Sequence, residues 1–399
     1  MSGNPRQRTR LISLEPDLID EYGHYLSFNE RLAEACAAAG IEFIVLAGKQ
    51  CDPQILQDHP FIRPTFKLRS WDAGVVPSSP LAKWQFGLEL SAALSEVTLK
   101  AGAGKTVLFM YTASLGHAQM VEKLLRWRGL TDVTAVMQYF RIHFENPLRA
   151  RFVRKWAPFL QRITAGNRVR LVLPTAQSAQ RFEEAFGFQP SLVPHPSPAF
   201  SDARARHLSA AAVAERSSST RIVFPGGVRV EKGFAMAVDA AVHLAEQPGI
   251  ECVVRAIHRD GVSETLETSL AKLRASRCMI ADQTLTPAEF DSFIASADVL
   301  VLPYAASHFG ERTSGLLVDA MLLGVPVVAG RGTWLGDLID QEGCGVSVPL
   351  TRSSSLIEGI NQVLGNLESY RAQTAAARIR YLENHSWERL LDDLVSSSR

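Results

Sequence analysis

Two acidic residues flank a hydroxyl-rich turn in the stretch FGERTSGLLVDAMLLGVPVV, residues 309 to 328. Glu311 comes just before a predicted helix, and Asp319 lies inside that helix within an otherwise apolar run. Aspartate is a poor helix-interior residue and is costly to bury without partners. A helix N-terminus receives anions, and carboxylates accept hydrogen bonds from hydroxyl groups. The pattern therefore indicates a site for a ligand that carries phosphate and sugar hydroxyls together, as a nucleotide-sugar does.

Each acid also has a purely structural explanation. Glu311 could do no more than favour the N-terminus of the helix electrostatically. Asp319 could pair with an arginine inside the fold, which is the usual fate of a buried acid. The two acids alone therefore do not decide between a binding site and a stabilised helix.

A second candidate site is the stretch RIVFPGGVRVEKGF, residues 221 to 234, where a predicted strand ends in paired glycines. Arg229 and Lys232 follow, just before the next predicted helix. Ligands of open parallel sheets lie outside the carboxyl ends of the strands. Two cations at that place could neutralise a diphosphate, although a glycine turn with solvated surface charges would give the same sequence.

Short apolar runs alternate with helical patterns along the whole chain, which is typical of a parallel α/β architecture. Thr286 and Glu289 predict a capping box. The segment 50–80 is rich in proline, which predicts an irregular loop, and its length is that of a functional loop. The predicted strands cover 9–14, 41–47, 106–112, 134–140, 169–174, 221–226, 250–256, 278–281, 298–303, 325–329 and 345–348, with helices at 25–39 and 82–99 among the connections.

The segment 195–220 is rich in Pro, Ser and Ala and marks the domain boundary. We therefore expect an N-terminal domain over 1–200 and a linker over 201–220. A C-terminal domain over 221–383 would follow. The last predicted helix, within 384–399, is amphipathic and could cross back to the first domain.

Composition narrows the class of protein. The 399 residues are 46% hydrophobic and carry a net charge of +1, which argues against a nucleic-acid binder. No apolar run approaches the roughly 20 residues of a membrane span, and the N-terminus lacks a signal-peptide core. The five cysteines show no CxxC pairing, so neither a disulfide framework nor a zinc site is indicated. These features predict a cytoplasmic protein.

The motif GGVRVEKG, followed later by ERTSGLLVDAMLLGVPVVAG, resembles the C-terminal domain of retaining GT-B glycosyltransferases of the family 4 type. ADVLVLPY and HSWERLLDDL are also similar to that family, and the likeness covers residues 220 to 398. The resemblance implies an α/β fold of two Rossmann-like, doubly wound domains that face each other across a cleft. It also implies a nucleotide-sugar substrate of the UDP or GDP type, with no metal and no cofactor.

The resemblance assigns roles to individual residues of the C-terminal domain. Arg229 and Lys232 correspond to the pair that binds the diphosphate. Glu311 would hold the transferred sugar, and Asp319 would hold the ribose diol. The remaining positions that the resemblance places at the donor are Gly227, Thr313, Ser314, Gly315 and Leu316.

Three departures from the family pattern affect these assignments. The second acid is Asp319 where the family usually has glutamate, so its reach is one methylene shorter. Gly227 stands where many members carry arginine. The family's Gly-Gly-x-Pro-Glu turn is replaced by the stretch RGTW at 331–334, which leaves the identity of the donor sugar open.

Three residues of the N-terminal domain are further donor-site candidates. Gly23 would allow close backbone approach, and His24 opens a helix expected to face the cleft. His143 follows a predicted strand end, where the family often has a histidine near the transferred sugar. A lone histidine is more often a helix cap or a packing residue, and His117 competes for the role of His143.

Residues 146–163, NPLRARFVRKWAPFLQRI, form a predicted basic amphipathic helix. Such a helix could lie on an anionic membrane near a lipid-linked acceptor. Packing of its apolar stripe on its own domain is the commoner arrangement. The sequence AGAGKT at 101–106 is not a P-loop, because it lacks the first glycine and precedes a strand rather than following one.

The leading hypothesis is an enzyme that transfers a sugar from a nucleotide diphosphate donor to the hydroxyl of a carbohydrate or lipid-linked acceptor. Retention of anomeric configuration and a place in cell-envelope polysaccharide or glycolipid synthesis are expected, with peripheral contact at the inner face of the membrane through 146–163. A non-catalytic nucleotide-sugar-binding module, or a partner subunit of this fold, is the alternative. A sugar epimerase of the same fold ranks last.

Overall fold

The chain divides into two compact units. The first comprises Met1–Pro198 together with His385–Arg399, and the second comprises Ala199–Asn384. The computed structural model describes residues 9–21, 25–69, 80–99, 104–139, 154, 156–165, 168–187, 189–197, 208, 219–257, 263–310 and 312–396.

The first unit contains a parallel sheet whose described strands follow the order β3-β2-β1-β4-β5-β6-β7. Nearly every residue of β1 and β4 is buried, as expected for strands covered on both faces. The strands are β1 (Arg10–Glu15), β2 (Glu42–Gly48), β3 (Ile62–Phe66), β4 (Thr106–Ala113), β5 (Val133–Tyr139), β6 (Val169–Leu173) and β7 (Ser191–Leu192).

Helices connect these strands and cover the sheet. They are α1 (Tyr25–Ala38), α2 (Pro53–Asp58), α3 (Pro80–Leu99), α4 (Leu115–Trp127), α5 (Ala157–Ala165) and α6 (Ala176–Phe186). Helix α5 is the described end of the predicted amphipathic segment, and its Leu160 is fully buried. Trp156 and Phe159 also pack against the core of the first unit. In the described part of the chain, no helix is both long and apolar enough to cross a bilayer.

Strand β3 lies within the segment 50–80, for which the sequence predicts an irregular loop. That prediction is wrong for Ile62–Phe66, which pair in parallel with β2. Pro64 interrupts the strand pattern because proline cannot donate to a sheet ladder. The position of β3 at the edge of the sheet removes the difficulty, since an edge strand needs partners on one side only.

The second unit contains a parallel sheet in the order β10-β9-β8-β11-β12-β13. The strands are β8 (Thr220–Phe224), β9 (Ile250–Arg255), β10 (Met279–Ala281), β11 (Val299–Leu302), β12 (Val327–Gly330) and β13 (Gly345–Val348). Its helices are α7 (Phe234–Leu244), α8 (Glu264–Arg274), α9 (Pro287–Ala295), α10 (Ala306–Phe309), α11 (Gly315–Leu322), α12 (Trp334–Glu342), α13 (Ser353–Gly365) and α14 (Leu367–Asn384). The capping box at the start of α9 is confirmed, because the Thr286 hydroxyl accepts from the Glu289 amide while Thr286 N donates to that glutamate.

Both sheets show the strand order of a doubly wound Rossmann-like fold. In each unit the first strand pairs with the second on one side and the fourth on the other. The direction of winding therefore reverses between β1 and β4, and again between β8 and β11. Ligands of open α/β sheets bind at the carboxyl ends of the strands beside such a reversal. In the second unit this rule directs attention to the loops that follow β8 and β11.

The helix α15 (Trp387–Ser396) follows the second unit in the chain but packs on the first. Leu390, Leu391 and Leu394 are buried in a core cluster together with side chains of α1 and β4. The ring of Trp387 lies 4.9 Å from that of Phe28. The helix is also tied to the sheet by polar contacts, since Arg170 Nη2 donates to Asp393 Oδ2 at 3.1 Å.

We predict that Leu391→Ala lowers the free energy of unfolding by about 2–5 kcal/mol, the usual cost of emptying a buried leucine site. Leu391 is only 2% exposed. The matched control is Asp392→Ala on the exposed side of the same helix, which we expect to change stability by no more than about 0.5 kcal/mol. Denaturant unfolding followed by circular dichroism measures both, and equal effects would show that α15 is not part of the first unit's core.

Candidate functional site

The loop after β8 makes a tight glycine turn beside the end of β9. Gly227 has a φ of 68°, in the left-handed region that glycine occupies without strain. The Val228 amide donates to the carbonyl oxygen of Ile257 at 3.1 Å, which ties this loop to the segment following β9. A side chain at Gly226 would meet the Tyr304 ring at 3.4 Å, so the turn also lies close to the segment after β11.

A single 3₁₀ turn, Val230–Lys232, follows; of the two predicted diphosphate-binding residues, Arg229 is its N-cap and Lys232 is its last residue. The backbone of Glu231 accepts from the Ala305 amide at 3.0 Å, which fixes the turn to the segment after β11. Gly233 closes the turn with a φ of 67°, and a Cβ at this position would lie 2.0 Å from the carbonyl oxygen of Pro303. The turn can approach β11 this closely only because position 233 has no side chain.

Lys232 carries its charge in an unfavourable environment. Its ammonium nitrogen lies 5.4 Å from the centroid of the Tyr304 ring. Burial, reinforced by the positive charges of Arg229, Arg255 and Arg312, lowers the Lys232 pKa to about 8, and Glu231 opposes this shift. A positive group held among other positive groups is stabilised by a bound anion. The structure thus brings Gly227, Arg229 and Lys232 together at the edge of the sheet where β8 ends.

Tyr304 is the polar group at the centre of this cluster. It is 1% exposed, and among the described residues its hydroxyl has no hydrogen-bond partner. Burial raises its pKa, while the charges of Arg229, Arg255 and Arg312 act in the opposite direction. An unsatisfied buried hydroxyl is rare and requires an explanation. An oxygen atom of a phosphate group near these cations would accept a hydrogen bond from this hydroxyl.

Two further arginines are held near this point by aromatic rings. The Arg312 guanidinium carbon lies 4.6 Å from the Phe309 ring, which in turn lies 4.4 Å from the Tyr304 ring. The Arg255 guanidinium carbon lies 4.9 Å from the ring of Phe290. Stacking on an aromatic face orients a guanidinium group and stabilises it.

Tyr304, Arg255 and Arg312 were not among the site residues predicted from the sequence. Arg255 is the last residue of β9, and Tyr304 lies two residues beyond the end of β11. Both strands neighbour β8 in the sheet. The signal that could have found Arg255 and Tyr304 was their common position at strand ends, combined with the strand order of a doubly wound sheet. Arg312 follows the helix α10 and carried no such signal.

The N-terminus of α11 carries the other group of predicted donor residues. Ser314 is the N-cap but makes no side-chain capping bond, so the first amides of α11 are not capped by that hydroxyl. Thr313 is half-buried, Gly315 is exposed, and Leu316 packs against the core. The described residues therefore offer backbone N–H groups at an exposed glycine.

Asp319 lies one turn into α11, over that N-terminus. Its Oδ2 atom is 4.0 Å from the position that a Cβ on Gly315 would occupy. Asp319 also acts on Tyr381, whose pKa is raised by burial and further by the Asp319 charge. The carboxylate thus lies over the first turn of the helix, as expected for a side chain that points back towards the helix N-terminus.

Four predicted site residues lie outside the described residues: Gly23, His24, His143 and Glu311. His117, the competitor for the role of His143, has a structural position. It is buried at the start of α4, where Ser114 N donates to its Nδ1 atom at 3.3 Å in a capping box. Burial lowers its pKa to about 4, so it remains neutral at physiological pH.

Side chains that could bind a metal are dispersed through the described part of the chain. In those ranges, no group of three or more His, Cys, Asp or Glu side chains is arranged to hold a metal ion. The five cysteines are free and buried.

Comparison with known proteins agrees with this geometry. Residues 219–366 match the family model "Glycosyl transferases group 1". This match lies within the second unit. The matched range contains the whole cation cluster and the N-terminus of α11, so the group 1 domain and the candidate site coincide. No curated protein matches the chain in sequence.

The fold of the whole chain is that of GT-B glycosyltransferases. A glycosyltransferase from Rickettsia africae is 13% identical and superimposes with a TM-score of 0.69, covering 98% of this chain and 97% of that one. Sucrose-phosphate synthase from Thermosynechococcus elongatus is 16% identical, with a TM-score of 0.66 and 98% of both chains covered. Anabaena HepE in complex with UDP-glucose is 12% identical, with a TM-score of 0.63, and the match covers 97% of this chain and 98% of HepE.

We predict that Gly233→Ala in the group 1 domain is strongly destabilising, because the new Cβ would collide with the Pro303 carbonyl. Gly249→Ala is the matched control, since Gly249 has a φ of 78° and a Cβ there meets nothing within 4 Å. Both variants bear the cost of left-handed backbone, about 1–2 kcal/mol. The collision should cost Gly233→Ala about 1–3 kcal/mol more. Equal unfolding free energies would show that the turn does not need its close approach to β11.

Proposed function

We propose that this protein is a retaining glycosyltransferase that moves a sugar from a nucleotide diphosphate donor to an acceptor hydroxyl. The single observation that carries the proposal is the cluster of Arg229, Lys232 and Tyr304 beside the strand reversal of a group 1 domain. The cluster concentrates positive charge and one unsatisfied hydroxyl at the place where such folds bind their ligands.

The proposed chemistry breaks the bond between the anomeric carbon and the diphosphate oxygen, and the electron pair leaves with the diphosphate. The acceptor oxygen forms the new bond to that carbon on the same face, and its proton passes to the leaving phosphate. Arg229 and Lys232 stabilise the negative charge that develops on the leaving group. Tyr304 donates its hydroxyl proton in a hydrogen bond to a phosphate oxygen. No metal and no cofactor takes part.

The α11 region binds the remainder of the donor in this proposal. The backbone amides at Ser314, Gly315 and Leu316 receive phosphate and sugar oxygens, as helix N-termini do. Asp319, which lies over that turn, accepts hydrogen bonds from the ribose diol. Glu311 holds the transferred sugar.

Residues of the first unit complete the proposed enzyme. From the family resemblance, Gly23 and His24 are proposed to contact the donor phosphates, and His143 the transferred sugar. A UDP-sugar is the first choice of donor because the structurally similar HepE was solved with UDP-glucose, and a GDP-sugar is the second. The acceptor is a carbohydrate or a lipid-linked saccharide of cell-envelope polysaccharide or glycolipid synthesis, at the inner face of the membrane.

A panel of nucleotide-sugars tests this proposal by thermal stabilisation, followed by transfer assays with the donors that bind. A ligand at 100 times its dissociation constant stabilises the folded state by about 2.7 kcal/mol. Binding together with transfer and retained configuration supports the proposal. Binding with neither hydrolysis nor transfer across an acceptor panel would identify a non-catalytic nucleotide-sugar module instead. Sugar interconversion without an acceptor would identify an epimerase.

We predict that Lys232→Ala lowers turnover about 10²–10³-fold, the scale of losing one preorganised charge contact in a transition state. Lys272→Ala is the matched control. Lys272 is a half-exposed residue of α8 and forms an ion pair with Asp239 of α7. That control should retain nearly normal turnover. Steady-state kinetics with the identified donor measures both variants, and near-normal transfer by Lys232→Ala would remove Lys232 from the mechanism.

We predict that donor affinity falls as the pH rises above about 8, the pKa of Lys232 in the unliganded protein. A bound diphosphate favours the charged lysine and raises its pKa, so binding above pH about 8 requires uptake of a proton. Affinity then falls by up to about tenfold per pH unit, while below that pH Lys232 contributes no dependence.

The control for this pH profile is Lys232→Arg, because arginine keeps its charge throughout the range. Ionisation of the nucleotide base affects both proteins equally, so the difference between their profiles isolates Lys232. Calorimetric titration with donor between pH 7 and 9 measures it. Parallel profiles for the two proteins would contradict the assignment.

A further inference from the structure

Glu15 places a carboxyl group in the interior of the first unit. It is the last residue of β1, one of the two strands between which the winding of the first sheet reverses, and it is 1% exposed. Leu11 and Ser13, which alternate with it along the strand, are fully buried. A carboxyl group in such a place costs free energy unless it is paired or neutral. Glu15 belongs to none of the sites described above, so its burial needs an explanation of its own.

Asn29 connects this carboxyl group to the start of α1. It lies one turn into the helix and is fully buried. Its side chain forms a hydrogen bond with Glu15. Its Nδ2 atom also donates to the backbone oxygen of Tyr25, the first residue of α1, at 2.8 Å. Because an amide nitrogen carries two hydrogens, it can donate to both groups. One side chain therefore ties the end of β1 to the first turn of α1.

The surroundings of Glu15 favour its neutral form. Its pKa is raised from the ordinary value of 4.5 to about 8, chiefly by burial. Hydrogen bonds from Asn29 and Ser13 act against this shift, and the negative charge of Asp17 adds to it. The guanidinium group of Arg69 lies 3.9 Å from Asp17 and offsets that charge. At neutral pH Glu15 is therefore a carboxylic acid rather than a carboxylate.

Three further titratable groups lie on this side of the sheet. Tyr111 of β4 belongs to the core cluster shared with α1. The ring of His195 is stacked 6.3 Å from that of Tyr111, and the backbone N–H of His195 donates to Nδ1 of His385 at 3.1 Å. Burial lowers the pKa of His385 to about 4, so this ring is neutral at physiological pH. Within the described residues, the charge that acts on Glu15 is that of Asp17.

Two atoms of the Glu15 and Asn29 side chains have no hydrogen-bond partner among the described residues. They are Oε2 of Glu15 and Oδ1 of Asn29. Unpaired buried polar atoms are rare in folded proteins. If Glu15 were ionised, both atoms would be acceptors and neither could pair with the other. Protonation of Glu15 turns one of its oxygens into a donor, and the Asn29 amide oxygen can accept that hydrogen bond. A single proton thus satisfies both atoms.

We propose that Glu15 is a positioning residue, which holds the first turn of α1 through a two-way hydrogen-bonded pair between its carboxylic acid and the amide of Asn29. In this pair Asn29 Nδ2 donates to the carboxyl group, and the acid O–H donates to Asn29 Oδ1. Gly23 and His24 directly precede α1 in the sequence. The start of α1 therefore fixes the end of the segment assigned to the donor phosphates, and this consequence rests on the proposed function.

Hydrogen–deuterium exchange of the full chain without donor tests the pair independently of sugar transfer. Glu15→Gln keeps one acceptor and one donor on the side chain, so peptides covering residues 25–32 should exchange as in the unmodified protein at pH 7. Glu15→Leu is similar in size but leaves the Asn29 amide without its partner. Exchange of the same peptides should then be at least about tenfold faster, because a buried polar group left unpaired weakens the helix start.

Repeating the exchange at pH 9 tests the role of the proton. The unmodified protein loses the Glu15 proton above pH about 8, whereas Glu15→Gln has none to lose. Exchange over residues 25–32 should therefore be at least about threefold faster in the unmodified protein than in Glu15→Gln at pH 9. Thermal unfolding gives a second measurement. Between pH 5 and 8 the unfolded carboxyl group is ionised and the folded one is protonated, so the unmodified protein should lose stability relative to Glu15→Gln as the pH rises.

Glu34→Gln is the matched control, because it makes the same substitution on the exposed side of α1, where Glu34 pairs with Arg31. It should behave as the unmodified protein does at both pH values. The comparison of the unmodified protein with Glu15→Gln needs no apolar substitution, so it keeps the test valid even if Glu15→Leu folds poorly. Once a donor is identified, Glu15→Leu should raise the donor KM about tenfold below pH 8, and Glu15→Gln should leave it nearly normal.

Three outcomes would overturn the proposal. Exchange over residues 25–32 could be the same in Glu15→Leu as in the unmodified protein, or the unmodified protein and Glu15→Gln could respond identically to pH. The third is a normal donor KM in Glu15→Leu although its α1 exchanges faster, which would show that the pair holds the helix without affecting the donor. Failure of every nucleotide-sugar to bind would instead refute the proposed function, and the exchange results would still decide whether the pair exists.

Discussion

The candidate site depends on holding positive charge partly out of water. Lys232 lies against the Tyr304 ring while three arginines act on it, and burial and these like charges oppose its ionisation. Removing an ion from water costs several kcal/mol unless opposite charge is nearby. The parallel sheet holds these charges close together, because the loops that follow its neighbouring strands β9, β8 and β11 lie at one edge. Glu231, 3.9 Å from Arg229, offsets part of this positive charge.

Local patterns were enough to predict most strands and the cationic turn. Gly227, Arg229 and Lys232 could be recognised because they are neighbours in one short motif. Tyr304 and Arg255 could not, because their proximity to that motif arises from strand order, which is set by long-range packing. Strand β3 was missed for a related reason: Pro64 weakens the local signal, and only the edge position in the folded sheet makes proline acceptable.

Periodicity also failed to identify which apolar faces point outwards. Helix α3 has apolar residues on most of its sides, so its sequence does not distinguish buried Phe86 and Leu90 from exposed Trp84 and Leu88. In the segment 146–163 the sequence favoured packing of the apolar stripe on its own domain without identifying the surface it covers, and its described residues Trp156 and Phe159 do pack against the core of the first unit. The partner of an apolar face is decided by tertiary packing, which a pattern within one helix does not contain.

The return of α15 to the first unit has a consequence for how the chain folds. Its leucines complete a core built from β1, α1 and β4, but they come after the entire second unit in the sequence. During synthesis from the N-terminus, the surface that α15 covers must stay open until the second unit has been made. Folding of the first unit is therefore coupled to completion of the second. A cut in the stretch between residues 198 and 219 would also leave two fragments still joined through this helix.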